Sequence, residues 1–239
     1  MSAYVPSFAP IAVLAFLGTA AALLLCLLIA LYGLARKSGP TLAIAGVAGV
    51  FVLAAYGGIL LGFSLFSHEV ELSAGSKKYF CEIDCHISYQ VERVWMPSMV
   101  GGESSPIASN GKFVVVELRT WFDPTTISPR RGDAPLTPNG RATSVRDKEG
   151  RLFAPSARAE QVLAALGLHS MPLATALRPG QSYISYLVFE VPASADGLKL
   201  WLRSTHALDA LLWGDERSLW HGKVLFLLNP APASAESSL

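Results

Sequence analysis

The sequence predicts a membrane α-hairpin followed by an all-β antiparallel sandwich. Three observations carry this reading. Residues 1–68 hold only two charged side chains, Arg36 and Lys37, which stand side by side between the apolar runs Phe8–Leu34 and Thr41–Phe66. Every other Lys, Arg, Asp and Glu falls after Ser67. Beyond that point apolar and polar residues alternate repeatedly with the period of a half-buried strand.

Each apolar run exceeds the ~20 residues needed to cross a bilayer as a helix. At ~1.5 Å per residue each helix is about 40 Å long, against a hydrocarbon core of ~30 Å, so tilt or interfacial overhang is expected. A cleaved signal peptide would carry its positive charge ahead of the apolar stretch. Here the basic pair follows Leu34, and the first run is read as an anchor. Lys and Arg are enriched in cytoplasmic loops. The turn Ala35–Pro40 is therefore expected in the cytoplasm, with the N-terminus and the C-terminal domain on the extracytoplasmic side. For a bacterial chain the membrane is the inner (cytoplasmic) one. Ala45 and Gly49, and Gly58 and Gly62, have the four-residue spacing that lets helices approach closely in lipid. Cys26 falls within the first run and reads as a small apolar residue.

Residues 69–228 have the length of one domain with its own core. Cys81–Glu92 alternates strictly, with Cys81, Ile83, Cys85, Ile87, Tyr89 and Val91 inward and His86 outward. Lys112–Phe122 places Val114, Val116, Leu118 and Phe122 on one face. Tyr183–Val191 does the same with Tyr183, Leu187, Phe189 and Val191. Leu198, Leu200 and Leu202 form a further inward set, and Trp220, Val224, Phe226 and Leu228 share a parity in the last strand. Ser144–Arg146 and Arg151–Ala154 flank Asp147-Lys148-Glu149-Gly150, a hairpin turn. Ala157–Leu166 alone reads as helix, with Val162, Leu163 and Leu166 as its stripe. Pro97–Gly111 and Asp123–Arg141 read as long loops. The tail 229–239 is small, polar and Pro-containing and is expected to be disordered.

Three of these segments carry a resemblance. Val145–Phe153, Leu177-Arg178-Pro179-Gly180-Gln181-Ser182 and Leu187-Val188-Phe189-Glu190-Val191-Pro192 resemble the immunoglobulin-like domain of unknown function found on bacterial lipoproteins and small exported proteins. It is the type of a secreted mycobacterial immunoprotective antigen. In that family an Asp-x-x-Gly hairpin is followed by a Pro-Gly turn and a strand ending in Val-Pro. The resemblance spans about residues 78–228 and implies an immunoglobulin-like sandwich. It brings no catalytic residues.

The strongest chemical signal is Cys81, Cys85 and His86. The thiols can be core residues of the strand, a disulfide favoured by an exported compartment, or ligands of a soft metal such as copper. A regular strand puts residues four apart at ~13 Å. A disulfide holds its Cα atoms within ~7 Å, so a bridge requires a turn or bulge. The overall layout also resembles cytochrome oxidase subunit II, which binds a copper pair through a Cys-x-x-x-Cys loop with a His and a Met beyond it. Cys81 and Cys85 match that loop, but Tyr89 and Glu92 stand where the His and Met would be. His221 is a further ligand candidate, expected to face outward beside Lys223.

His68-Glu69-Val70-Glu71-Leu72 lacks the second His of a zinc-protease motif. Arg131-Gly132-Asp133 reads as a chance loop triplet. A net charge of +1 without a basic run offers no sign of a nucleic-acid surface, and no nucleic-acid partner is expected. The expected partners are the lipid bilayer and a membrane or envelope protein. The expected function is that of a membrane-anchored binding module, without a cofactor. A copper-binding or redox subunit is the alternative.

Overall fold

The computed structural model describes residues 3–6, 9–80, 86–101, 106–128 and 130–229, which form two compact units. The first contains the β-strands. The second contains the helical hairpin together with Ala207–Gly222.

In the second unit, α1 (Ala9–Ala35) and α2 (Gly39–Leu65) are both 27 residues long. Both are long and apolar enough to cross a membrane. Their large side chains point outward, Phe51 at 72% and Leu14 at 69% exposure, as no soluble core helix would allow. The turn between them is tight: the Ser38 N–H donates to the Gly33 carbonyl at 2.9 Å, and Lys37 takes a φ of 50°. Pro40 in the first turn of α2 suits the fixed φ of a helix start. The helices approach closely at Gly33, where a Cβ would come within 3.2 Å of the Leu42 nitrogen and of the Thr41 side chain. Of the two small-residue pairs, Ala45/Gly49 lies at the helix contact, where a Cβ on Gly49 would sit 3.8 Å from that of Cys26. Gly58 and Gly62 have open space instead.

The first unit is a β-sandwich. One five-stranded sheet has the order β1 (Ala3–Tyr4), β3 (Lys77–Phe80), β4 (Ile87–Trp95), β7 (Lys112–Phe122), β10 (Ser182–Val191). The other has the order β2 (Val70–Leu72), β12 (Val224–Leu227), β11 (Lys199–Ser204), β8 (Arg141–Arg146), β9 (Leu152–Phe153). A small hairpin, β5 (Met99–Val100) and β6 (Ile107–Ala108), falls within the expected Pro97–Gly111 loop. The sheets are mixed rather than purely antiparallel, because β1 pairs parallel with β3 and β2 pairs parallel with β12.

The predicted inward faces meet in one core. Val114, Val116, Leu118, Phe122, Phe189, Val191, Leu198, Leu200, Leu202, Val224, Phe226 and Leu228 all belong to it. A second cluster forms on the outer face of the first sheet, where α3 (Ala159–Ala165) lays Val162 and Leu163 over Phe113, Val115 and Val188. The unbroken run Phe113-Val114-Val115-Val116 is buried on both faces for this reason.

Two strand expectations change. Cys81–Glu92 is not a single strand. Phe80 pairs antiparallel with Ile87, so β3 ends before that stretch and β4 begins within it. An alternating pattern does not by itself tell one continuous strand from a stretch in which a strand begins. A bulge between Val91 and Arg93 then shifts the parity, so Val91 and Val94 both reach the core. The last strand starts at Val224, and Trp220 lies outside it at 67% exposure.

Candidate functional site

The pairing of β3, β4 and β7 gathers a polar cluster at one end of the sandwich. Ile87 opposes both Phe80 and Phe122, so the residues just beyond those pairs meet. The Asp123 N–H donates to the His86 carbonyl at 2.8 Å and extends the ladder by one step. Asp123 then caps the short 3₁₀ turn Pro124–Thr126, an Asp-Pro start that satisfies backbone donors and presets φ. Its Oδ1 accepts from the Thr125 N–H at 2.9 Å and from the Thr125 hydroxyl at 2.7 Å. Its Oδ2 accepts from the Tyr79 hydroxyl at 2.6 Å.

These contacts set the ionisation of the cluster. Burial opposes the charge on Asp123. The hydrogen bonds from Tyr79 and Thr125, with Lys77 nearby, outweigh it and hold the carboxyl below its ordinary range. Burial, and then the Asp123 carboxylate, push the Tyr79 hydroxyl up to about 12. Tyr79 is thus a donor at neutral pH. Asp123 Oδ1 holds the turn, and Oδ2 ties it to Tyr79 on β3.

His86 departs from expectation. It is 5% exposed rather than outward-facing. Its ring stacks on Phe122 at 5.7 Å between centroids, and its Nδ1 lies 2.7 Å from the Thr126 hydroxyl. That hydroxyl donates to the Asp123 carbonyl at 3.0 Å. One hydroxyl proton cannot serve both contacts, so His86 donates through Nδ1–H. An aromatic stack and a hydrogen bond together repay burial of the imidazole.

Beside the cluster lies a cleft of about 480 Å³, lined by Pro124, Ile127, Ser128, Gly132, Asp133 and Pro179. Asp133 there pairs with Arg178 at 3.0 Å, both partners being largely exposed.

The other candidates fall elsewhere. Cys81 and Cys85 lie outside the described residues, five positions and one position before His86 in the chain. His221 belongs to the second unit, precedes β12 rather than lying on a strand, and donates through Nδ1 to the Gly222 carbonyl at 2.8 Å. Among the described residues no group of three or more His, Cys, Asp or Glu side chains is placed to hold a metal. Glu69 and Glu71 of the protease-like segment are held by an ion network. Glu69 takes Arg146 and Lys199, and Glu71 takes Lys199 as well. Sequence reasoning missed Tyr79, Asp123 and Thr126. The Asp-Pro-Thr-Thr capping pattern was the available signal.

No protein-family model matches the chain, and no curated protein matches it. Among solved structures it is similar to a conserved hypothetical protein from Bacillus anthracis, at 18% identity and a TM-score of 0.36, over 49% of this chain and 80% of that one. A similarity at this level identifies neither a family nor a function.

Proposed function

We propose that the protein is a membrane-anchored, extracytoplasmic binding module of the bacterial inner membrane. One observation carries the proposal. The two long apolar helices interrupt the sandwich between its first strand, Ala3–Tyr4, and all the others. A chain that leaves a domain, crosses a bilayer twice and returns to that domain keeps both ends on one side. Arg36 and Lys37 at the turn favour the cytoplasm for the loop and the exterior for the sandwich. The immunoglobulin-like reading draws support from the elements that carry the resemblance. Val145–Phe153 spans the β8–β9 hairpin, Gly180 turns with a φ of 81° before β10, and Val191 ends that strand. The cleft beside Asp123 offers a concave, partly apolar contact surface with the Asp133–Arg178 pair at its rim.

Reporter fusions after Leu228 test the anchoring. A periplasm-only reporter is expected to be active, and activity of a cytoplasm-only reporter would overturn the orientation. A photo-crosslinker at Ser128, in the cleft, tests the binding role in intact cells. Capture of one envelope protein there, but not from Glu149 on the β8–β9 turn, is expected. Equal capture from both positions would remove the cleft from consideration.

A copper-binding or redox subunit is the second reading. It is favoured by the His86 imidazole, which is fixed by its stack on Phe122 and its bond to Thr126 and directly follows Cys85 in the chain. Metal analysis of the purified protein alongside thiol counting separates the two readings.

A further inference from the structure

The segment Ala207–Gly222 leaves the β domain between β11 and β12 and is compact with the hairpin instead. We propose that it is an interfacial membrane segment, lying in the headgroup and upper acyl region of the leaflet at the C-terminal end of α2. This inference rests on the membrane reading of the hairpin.

Three contacts attach the segment along the C-terminal half of α2 and just past it. The Tyr56 hydroxyl donates to the Leu211 carbonyl at 2.7 Å. Phe63 meets the Trp213 ring edge-on at 4.9 Å. The Gly222 N–H donates to the Ser67 hydroxyl at 2.6 Å. Tyr56 lies nine residues before the helix end at Leu65, or ~14 Å along the axis at ~1.5 Å per residue. A helix of this length exceeds a ~30 Å hydrocarbon core by roughly 10 Å in all, and with that overhang at the C-terminal end of α2 those contacts fall from just inside the acyl boundary out to the headgroups.

The segment is ordered by its own bonds. The Ser218 hydroxyl donates to the Leu212 carbonyl at 2.7 Å, and the Arg217 N–H donates to Asp215 Oδ1 at 2.8 Å. Yet it leaves Leu208, Leu211, Leu219 and Trp220 exposed at 45–67%. Large apolar residues held outward beside a lipid-facing helix continue that helix's own surface. A Trp with charged residues close by is typical of the membrane–water interface. The occupant that fits is lipid.

Full-length protein reconstituted in phosphatidylcholine vesicles carrying brominated acyl chains tests this. The Trp220 signal is the fluorescence lost in Trp220→Phe, a conservative change at an exposed site. Quenching of that signal by shallow bromines at least twofold more than by deep ones is expected, with little quenching by aqueous acrylamide. Full acrylamide quenching without bromolipid quenching would overturn the proposal. Shielding from both quenchers would also overturn it, by placing protein rather than lipid on this face. Retention of the protein in the membrane after alkaline carbonate extraction, combined with either of those results, leaves the anchoring reading standing. Release by carbonate removes both.

Discussion

The Lys78 ammonium donates to the Leu202 carbonyl at 2.7 Å, carrying a charge from one sheet of the sandwich to the other. It donates also to the Val224 carbonyl at 3.1 Å and lies 4.9 Å from the centroid of the Phe80 ring. The side chain is 2% exposed. Charge-assisted bonds repay the desolvation of a buried ammonium only when its geometry is held closely. Lys78→Ala should therefore cost about 3 kcal/mol, from lost bonds and a cavity. Lys78→Met keeps most of the stem volume and should cost about half as much. Urea unfolding of the two variants in detergent would measure this, and equal losses would show that the lost bonds to the Leu202 and Val224 carbonyls, not the volume, set the cost.

The Tyr79–Asp123 bond makes the sandwich sensitive to acid. The carboxyl is held below its unfolded value of ~3.9. Its contribution is thus fully present above that value and is lost as pH falls through the lower, folded value. Tyr79→Phe should cost about 1.5–3 kcal/mol at neutral pH, because it removes a hydrogen bond to a charged group. The deficit should shrink below pH ~3. A deficit that stays constant down to acid unfolding would refute the link.

Asp215 behaves in the opposite sense. Burial is the main cause, with Asp209 and Glu216 adding repulsion against the opposing backbone bond and charge of Arg217, and it pushes the carboxyl up to about 7. The packed helix α2 has no charged residue to offset this. Between the unfolded value of ~3.9 and about 7, the folded form holds a proton that the unfolded form releases. The stability of the segment therefore falls as pH rises through that window. Fluorescence assigned to Trp213, two residues away and packed on Phe63, should titrate near pH 7. Asp215→Asn should abolish the transition. Its survival in that variant would assign it to a nearby histidine.

Replacing Cys81 and Cys85 together by Ala discriminates the three thiol chemistries. Core thiols should cost roughly 1–3 kcal/mol without abolishing folding. A disulfide should cost about 2–5 kcal/mol, with the wild type showing the same loss under reductant. Stoichiometric copper in the wild type, lost when either Cys is changed, would establish the metal and make His86 and His221 the ligand candidates to test next.

Much of the architecture could be read along the chain. The hairpin follows from two uninterrupted apolar runs, and β7, β10 and β11 follow from alternation with one face buried. The stripe of Val162 and Leu163 marks α3. The polar cluster was less legible. His86 was visible as a residue beside two thiols, but its partners Tyr79, Asp123 and Thr126 come from other strands and a turn. Only the antiparallel pairing of β3, β4 and β7 brings them together.

The sequence by itself determined where the helices and most strands lie, because local period and unbroken hydrophobicity are properties of neighbouring residues. Tertiary structure decided that β3 and β4 pair antiparallel, that Glu92 is bulged, and that His86 is buried. It also decided that Ala207–Gly222 packs on α2, and that the N-terminal Ala3–Tyr4 completes a sheet on the far side of the hairpin in sequence. Each of these depends on which distant backbone supplies a hydrogen-bond partner. That choice is made by the register of paired strands and the burial of whole faces, and no window of neighbouring residues contains it.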